Sequence, residues 1–157
     1  VLTRDYRYMC SDPGQELIKR DIAQHELDRI VVAVAINTSK SGTFSIEERV
    51  AMMQEVFKDQ NDVEVDSFSG LLVDYVRTRN AQAILRGIRT VTDFDYEFQM
   101  ALMNRRLAPQ SETVYLMPNE RYTYLSSSLI KDVARHGGDI SHFVPEPVIA
   151  ALQKKFS

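Results

Sequence analysis

The sequence predicts an α/β fold in which a parallel sheet carries helices on both faces. Strand-like and helix-like periodicities alternate along the chain, and this alternation is typical of parallel strands joined by helices. The segment 30–36 is apolar throughout and rich in β-branched residues, as expected of a central strand covered on both sides. No repeat, low-complexity stretch or long linker interrupts the 157 residues, so we expect a single domain spanning 1–157.

Local patterns predict the elements in order. After the strand at 30–36, Ser45 and Glu48 form a capping-box pattern that predicts a helix start. The apolar residues that follow have helical spacing: Ile46, Val50, Met53 and Phe57. Alternation over 63–68 predicts a strand nearer the sheet edge, and 71–76 is predicted to form a short helix.

The second half of the chain continues the alternation. Strands are predicted at 83–85 and 114–117, with a helix from about Asp93 between them. The apolar residues that mark this helix are Phe94, Phe98, Ala101 and Leu102. A helix over 126–136 is closed by Gly137 and Gly138, and proline in the first turn predicts a last helix over about 147–155.

The composition excludes several classes of function. Apolar residues make up 44% and charged residues 26%, the profile of an ordinary globular protein rather than a disordered chain. A net charge of −3 argues against a general nucleic-acid binder, and the longest apolar run is too short to cross a membrane. A single cysteine, Cys10, and charged N-terminal residues without an apolar signal core lead us to expect a cytoplasmic protein.

Two arginines lie where a parallel sheet binds its ligands. Arg86, Gly87, Ile88 and Arg89 directly follow the predicted strand 83–85, and ligands bind at the carboxyl ends of such strands. Gly87 allows the backbone to approach a ligand closely, and two guanidiniums three residues apart can clamp phosphate oxygens. Alternatively, the two arginines are exposed and paired with acids of the next helix. The spacing is the same in both cases, so the pattern favours neither alternative.

Two acids begin the next helix. Asp93 and Glu97 are four residues apart and therefore share a face. Acids are common in a first helical turn because they offset the helix dipole. The functional alternative is that they orient the arginines, or bind ribose or a metal ion.

Three serines indicate an anion site at a helix start. Ser126, Ser127 and Ser128 add hydroxyl donors to the free N–H groups of a helix N-terminus, whereas a plain N-cap needs only one serine. With Lys131 one turn further on, the set favours phosphate. Lys40 follows the most buried strand, although a lone loop lysine is usually just solvated. The three histidines have no metal-binding spacing.

Together these segments resemble the bacterial phosphopantetheine adenylyltransferases over roughly residues 26–157. The most specific parts are Arg-Gly-Ile-Arg at 86–89, Asp-Phe-Asp-Tyr-Glu at 93–97 and Ser-Ser-Ser-Leu-Ile-Lys at 126–131. The other matching segments are 28–36, 39–40, 43–49, 70–75, 84–85, 103–104, 122–125, 137–140 and 143–145.

The resemblance implies transfer of an adenylyl group from ATP to 4'-phosphopantetheine, giving dephospho-coenzyme A and pyrophosphate, with Mg²⁺. It implies a Rossmann-like, doubly wound parallel sheet of about five strands, a homohexamer, and neither nucleic-acid nor membrane partners. Lys40, Leu72 and Arg86 would contact phosphopantetheine, with Lys40 and Arg89 catalytic. The residues implied to hold ATP are Gly87, Ile88, Arg89, Glu97, Tyr122, Thr123, Tyr124, Leu125, Ser126, Ser127 and Ser128.

The N-terminal residues depart from the family pattern. The family has an apolar strand, a Pro-Gly-Ser/Thr-Phe-Asp-Pro loop and a Gly-His pair that opens a helix. Here Gln15 and Glu16 occupy the Gly-His positions, and an anionic Glu16 would repel phosphate. The residues 1–12 also form a poor strand pattern, so we expect the strand and phosphate loop to be lost while a helix after Pro13 survives.

Three explanations compete for this stretch: a local fault in the sequence, a variant with impaired catalysis, or normal folding through contacts that the pattern does not reveal. The intact remainder favours the first, and the mass of the N-terminal peptide distinguishes them. The alternative function is a non-catalytic relative that retains nucleotide or coenzyme A. A sibling nucleotidyltransferase acting on another phosphorylated substrate ranks lower, since such enzymes share the serine segment but not all of 86–97.

Overall fold

Strands and helices alternate along the described part of the chain. The computed structural model describes residues 2–3, 29–36, 42–88, 90–117 and 124–157, with the backbone alone at 2, 3 and 92. The strands are β1 (Leu2–Thr3), β2 (Ile30–Ala35), β3 (Val63–Phe68), β4 (Ala83–Gly87) and β5 (Glu112–Leu116). The helices are α1 (Ile46–Val56), α2 (Leu72–Thr78), α3 (Val91–Leu107), α4 (Ser127–Arg135) and α5 (Glu146–Phe156). The predicted α/β class with parallel strands is confirmed.

The strands are joined in the order β3-β2-β1-β4-β5, and every pairing is parallel. β1 has only two residues, yet Leu2 pairs with Val32 of β2 and with Leu85 of β4. The prediction that the strand at 1–12 is lost is therefore wrong for Leu2 and Thr3. β2 and β4 each direct a row of backbone N–H and C=O groups towards β1, and these groups must be paired. Because backbone pairing depends little on side chains, this tertiary context outweighs a weak strand pattern in the sequence. The predicted helix after Pro13 lies outside the described residues.

β4 is longer than its pattern predicted. The apolar run ends at Leu85, but Arg86 and Gly87 continue the strand and pair with Tyr115 and Leu116 of β5. The correction has a simple cause: β5 offers backbone partners to the end of β4, and Arg86 has a buried acidic partner. The arginine therefore lies within the sheet rather than in the loop after it.

The two faces of the sheet bury separate cores. Val32, Val34 and Leu85 pack with Met53 of α1, Ile130 of α4 and residues of α5. Val31, Ala33 and Ile84 pack on the other face with Phe68 and with Val76 of α2. Because side chains alternate along a strand, Arg86 lies on the same face as Ile84, away from α4.

The predicted caps are present. Ser45 Oγ accepts a hydrogen bond from the Glu48 N–H (3.2 Å), and a Glu48 carboxylate oxygen accepts one from the Ser45 N–H (2.6 Å). At the other end of the chain, Gly137 has φ +72° just past α4, a conformation that glycine adopts without strain. Local sequence signals therefore set these helix ends.

The helix near Asp93 is confirmed, but its apolar residues are not all buried. α3 begins at Val91 after the Thr90 cap. Phe94, Phe98 and Leu102, which marked the helix in the sequence, are 45%, 49% and 52% exposed. Their spacing predicted the helix correctly, but it did not show whether the core of this chain buries the apolar face of that helix. Within the described residues, no helix has the length and apolar character to cross a membrane.

Replacing Ser45 by alanine should lower the free energy of unfolding by about 1 kcal/mol, because the capping hydrogen bond at α1 is lost. Urea denaturation measures the change. Ser69→Ala, at an exposed position between β3 and α2, serves as the control and should change stability by less than about 0.5 kcal/mol. Equal effects at the two serines would contradict the capping role.

Candidate functional site

A buried ion pair between β4 and α3 is the centre of the candidate site. Arg86 Nε donates a hydrogen bond to Glu97 Oε2 at 2.8 Å, and Nη2 contacts Oε1 of the same carboxylate. Both side chains are only 8% exposed. The acid does come from the following helix, as one alternative proposed, but the pair is buried rather than exposed. Glu97 therefore orients Arg86, as the functional alternative expected.

Tyr115 connects this pair to the sheet. Its hydroxyl donates a hydrogen bond to the Glu97 carbonyl oxygen at 2.6 Å, so β5 holds the helical turn that carries Glu97. Burial raises the pKa of the Tyr115 phenol, and the nearby Glu97 carboxylate raises it further. The phenol therefore remains a neutral donor over the ordinary range of pH.

A cavity of about 220 Å³ lies over the ion pair. Its wall is mostly apolar, and Arg86 and Glu97 form a charged patch in it. The lining residues come from the carboxyl ends of the strands and from α2 and α3: Ala35, Phe68, Gly70, Leu71, Leu72, Arg86, Glu97, Met100, Ala101, Asn104, Thr113 and Tyr115. Leu72 and Arg86, both implied to contact phosphopantetheine, line the same cavity. A mostly apolar cavity with a few fixed polar groups has the character of a small-molecule binding site.

An anion in this cavity must share the guanidinium of Arg86 with Glu97. The guanidinium has five N–H donors in a planar fork, and at least two of them contact the Glu97 carboxylate. Glu97 thus fixes the plane in which Arg86 can present its other donors. A preorganised guanidinium binds an oxyanion with less loss of side-chain freedom than a solvated one.

The serine segment lies on the opposite face of the sheet from Arg86. Ser126 caps α4, accepting a hydrogen bond from the Leu129 N–H at 3.2 Å, so one serine has the plain capping role. Leu125 packs against the core that contains Leu85. Ser127 and Ser128 occupy the first turn of α4, and Tyr124 just before it is exposed.

Helix α4 contacts the loop that follows β2. Lys131 Nζ donates a hydrogen bond to Thr43 Oγ1 at 3.2 Å. The middle of α4 therefore contacts a residue that follows Lys40 closely in the chain. Most of the implied site residues that the structure describes form two groups, one around Arg86 and one around the start of α4, on the two faces of the sheet.

The remaining implied residues divide between the end of β4 and the undescribed part of the chain. Gly87 is the last residue of β4, and Ile88 is buried with its N–H donating to the Leu116 carbonyl at 3.0 Å. That backbone donor is therefore used within the sheet. The implied site residues that lie outside the described part are Lys40, Arg89, Tyr122 and Thr123.

Sequence reasoning missed several residues of the cavity. Asn104 is 7% exposed and lines the cavity beside Glu97. Its signal was available, since positions 97 and 104 lie seven apart and share one helix face. Tyr115 could not be found by spacing, because its place beside Glu97 depends on the register of β5 against β4.

Glu97→Gln should lower the free energy of unfolding by about 3–5 kcal/mol, because it removes the carboxylate charge that faces a buried guanidinium. Urea denaturation measures the loss. Glu112→Gln is the matched control: its pair with Arg105 (3.6 Å) is about two-thirds exposed on both sides and should contribute at most about 1 kcal/mol. Losses of similar size in the two variants would contradict the structural role of the buried pair.

The raised pKa of Tyr115 predicts a stability difference that depends on pH. The folded state favours the neutral phenol, so its contribution is intact below the unfolded pKa of about 10 and is lost as the pH rises towards the folded pKa. The stability advantage of the wild type over Tyr115→Phe should therefore shrink between pH 9 and pH 11 (roughly one unit either side of that pKa). Urea unfolding at the two pH values measures it, and a constant difference would contradict the shift.

Comparison with known proteins identifies the family. The cytidylyltransferase-like family matches residues 16–133. A phosphopantetheine adenylyltransferase of Alkaliphilus metalliredigens is 51% identical over 140 residues, covering 89% of this chain and 88% of that one. That of Caldanaerobacter subterraneus subsp. tengcongensis is 50% identical, covering 90% of this chain and 87% of that one. That of Lawsonia intracellularis is also 50% identical, covering 85% of this chain and 78% of that one. The chain therefore belongs to the phosphopantetheine adenylyltransferases, within the cytidylyltransferase-like family.

Proposed function

We propose that the chain transfers the adenylyl group of ATP to 4'-phosphopantetheine, giving dephospho-coenzyme A and pyrophosphate. The observation that carries the proposal is the cavity over the Arg86–Glu97 pair, in a chain half identical to phosphopantetheine adenylyltransferases over most of its length. An apolar cavity with one oriented guanidinium matches a substrate that has a long neutral arm and a terminal phosphate. The adenylyl donor then binds at the neighbouring strand ends and α4.

The two substrates occupy two groups of residues. Leu72 and Arg86, in one cavity, hold phosphopantetheine together with Lys40. ATP is held along the end of β4 and the start of α4. The residues of this second group are Gly87, Ile88, Arg89, Tyr122, Thr123, Tyr124, Leu125, Ser126, Ser127 and Ser128. Glu97, which the resemblance assigns to ATP, has a second role here in orienting Arg86.

The reaction needs no enzyme nucleophile. A phosphate oxygen of phosphopantetheine attacks the α-phosphorus of ATP in line with the leaving pyrophosphate, forming one P–O bond while the other breaks. The protein holds two anions in contact and offsets the charge that develops at the reacting phosphorus. Arg86 holds the attacking phosphate, and Lys40 and Arg89 offset the developing charge.

The Mg²⁺ ion of this reaction is proposed to bind with the nucleotide. Among the described residues, no three His, Cys, Asp or Glu side chains form a cluster that could hold a metal ion. This fits Mg²⁺, which is commonly bound through one or two carboxylates together with water and substrate phosphates. When bound, Mg²⁺ supplies charge neutralisation at the phosphates, and the chain's own residues perform the positioning.

We further propose a Rossmann-like, doubly wound arrangement in one domain spanning 1–157, with β1 as the short central strand. The order β3-β2-β1-β4-β5 and the separate cores on the two faces support it. A cytoplasmic location is proposed from the lone cysteine of the sequence.

A homohexamer is proposed from the family resemblance, and α3 offers a surface for self-association. Val91, Phe94, Phe98 and Leu102 follow one another at spacings of three or four residues and are all exposed. Phe94 and Phe98 stack with ring centroids 5.8 Å apart. An apolar stripe of this kind marks a protein interface more often than free surface. Sedimentation velocity tests the assembly, and a monomer at micromolar concentration would contradict it.

Release of pyrophosphate from ATP tests the proposed reaction. We expect release that depends on added phosphopantetheine, with dephospho-coenzyme A formed in equal amount and detected by mass spectrometry. Coenzyme A binding by calorimetry without any turnover would instead select the non-catalytic alternative, which Gln15 and Glu16 at the Gly-His positions favour.

Restoring the family pair tests whether the N-terminal departure limits catalysis. The double substitution Gln15→Gly/Glu16→His removes an anion and adds a donor for phosphate. Because one preorganised donor is worth about 10²–10³ in rate, we expect kcat to rise by about that factor. The control Glu16→Gln removes only the charge and should recover a smaller part. An unchanged kcat in the double variant would show that the chain does not depend on a donor at this position.

A further inference from the structure

The chain that follows β2 is held at residues 42–44 by side chains from two helices. Thr43 accepts a hydrogen bond from Lys131 of α4, at 3.2 Å. The Phe44 ring is 6% exposed and packs in the core beneath α1 and α5. These three residues come just after the segment 37–41, which includes Lys40 and lies outside the described residues.

Arg49 makes the closest contacts to this segment. Its Nε donates a hydrogen bond to the Phe44 carbonyl oxygen at 3.0 Å. The guanidinium also covers Gly42: a methyl group added at Gly42 would lie 1.7 Å from Nη2 of Arg49. A side chain at 42 would therefore displace the end of the Arg49 side chain.

The base of Arg49 is itself fixed. Its N–H donates to the Ser45 carbonyl at 3.1 Å, in the first turn of the helix that the Ser45–Glu48 capping box closes. A rigid helical turn thus carries the planar guanidinium, which contacts the loop at Gly42 and at Phe44. A lysine could supply the charge, but a single Nζ cannot reproduce both contacts.

We propose that Arg49 is a positioning residue, which by contacting Gly42 and Phe44 fixes the residues that directly follow the Lys40 segment in the chain. The inference rests on the proposed reaction only for its kinetic readout, because the contacts of Arg49 are to the loop itself. Arg49 acts through the loop, whereas Lys131 connects the same loop to α4. The two cations together connect residues 42–44 to α1 and to α4, the helix proposed to bind ATP.

Hydrogen–deuterium exchange and kinetics on four variants test the proposal: Arg49→Ala, Arg49→Lys, Gly42→Ala and Gly42→Ala/Arg49→Ala. In Arg49→Ala we expect amide exchange in the peptide 42–44 to rise about tenfold, the effect of losing one charge-assisted hydrogen bond. Gly42→Ala, which displaces the guanidinium, should change exchange in the same direction. The double variant should resemble the worse single variant, because the two residues contact each other.

The kinetic readout separates positioning from general stability. We expect kcat to fall about tenfold in Arg49→Ala while KM for ATP and the thermal midpoint stay near the wild-type values. Arg49→Lys should recover only part of the loss. Wild-type exchange and kinetics in Arg49→Ala, full recovery in Arg49→Lys, or additive losses in the double variant would each overturn the proposal. If the wild-type chain shows no turnover, the proposed reaction is overturned rather than the role of Arg49. The exchange measurements, which do not depend on activity, then test that role.

Discussion

The buried pair of Arg86 and Glu97 is the interaction on which the arrangement of the site depends. It joins the carboxyl end of β4 to α3, and both side chains are almost fully removed from solvent. Removing two charges from water costs free energy that only close geometry and further hydrogen bonds repay. Tyr115 holds the same turn of α3, because its hydroxyl donates a hydrogen bond to the Glu97 carbonyl oxygen. A pair maintained at this cost suits a site that needs one guanidinium in a fixed plane.

The two proposed groups of ligand-binding residues are supported from opposite faces of the sheet. Arg86 faces α2 and α3, whereas α4 packs on the other face against Leu85 and its neighbours. Successive residues of β4 thus serve opposite sides of the molecule. Lys131 of α4 contacts Thr43 in the loop that follows β2. For two phosphorylated substrates held from opposite faces to react, their phosphates must come together at the carboxyl ends of the strands. The loops at these strand ends therefore control how closely the substrates approach.

The short strand β1 illustrates how the fold tolerates an unusual sequence. Leu2 pairs on both sides, joining β2–β3 to β4–β5 through a segment whose composition argued against a strand. Backbone hydrogen bonding depends little on side-chain identity, and the surrounding strands provide both partners. Family membership and sheet order are therefore compatible with the altered residues at 15 and 16. What those residues do to catalysis is a question of chemistry rather than of fold.

The sequence by itself determined the features that depend on neighbours in the chain: the buried strand β2, the capping box of Ser45 and Glu48, the glycine end of α4 and the helix through Glu97. Motifs also identified the family. Arg86, Glu97 and the serine segment each belong to a short motif whose residues are neighbours in the chain, so the sequence alone reveals them. Only the tertiary structure decided that Arg86 is buried against Glu97, that Tyr115 and Asn104 share its cavity, and that Phe94 and Phe98 remain exposed. Those outcomes depend on strand register and on which face each helix covers, and residues far apart in the chain set both.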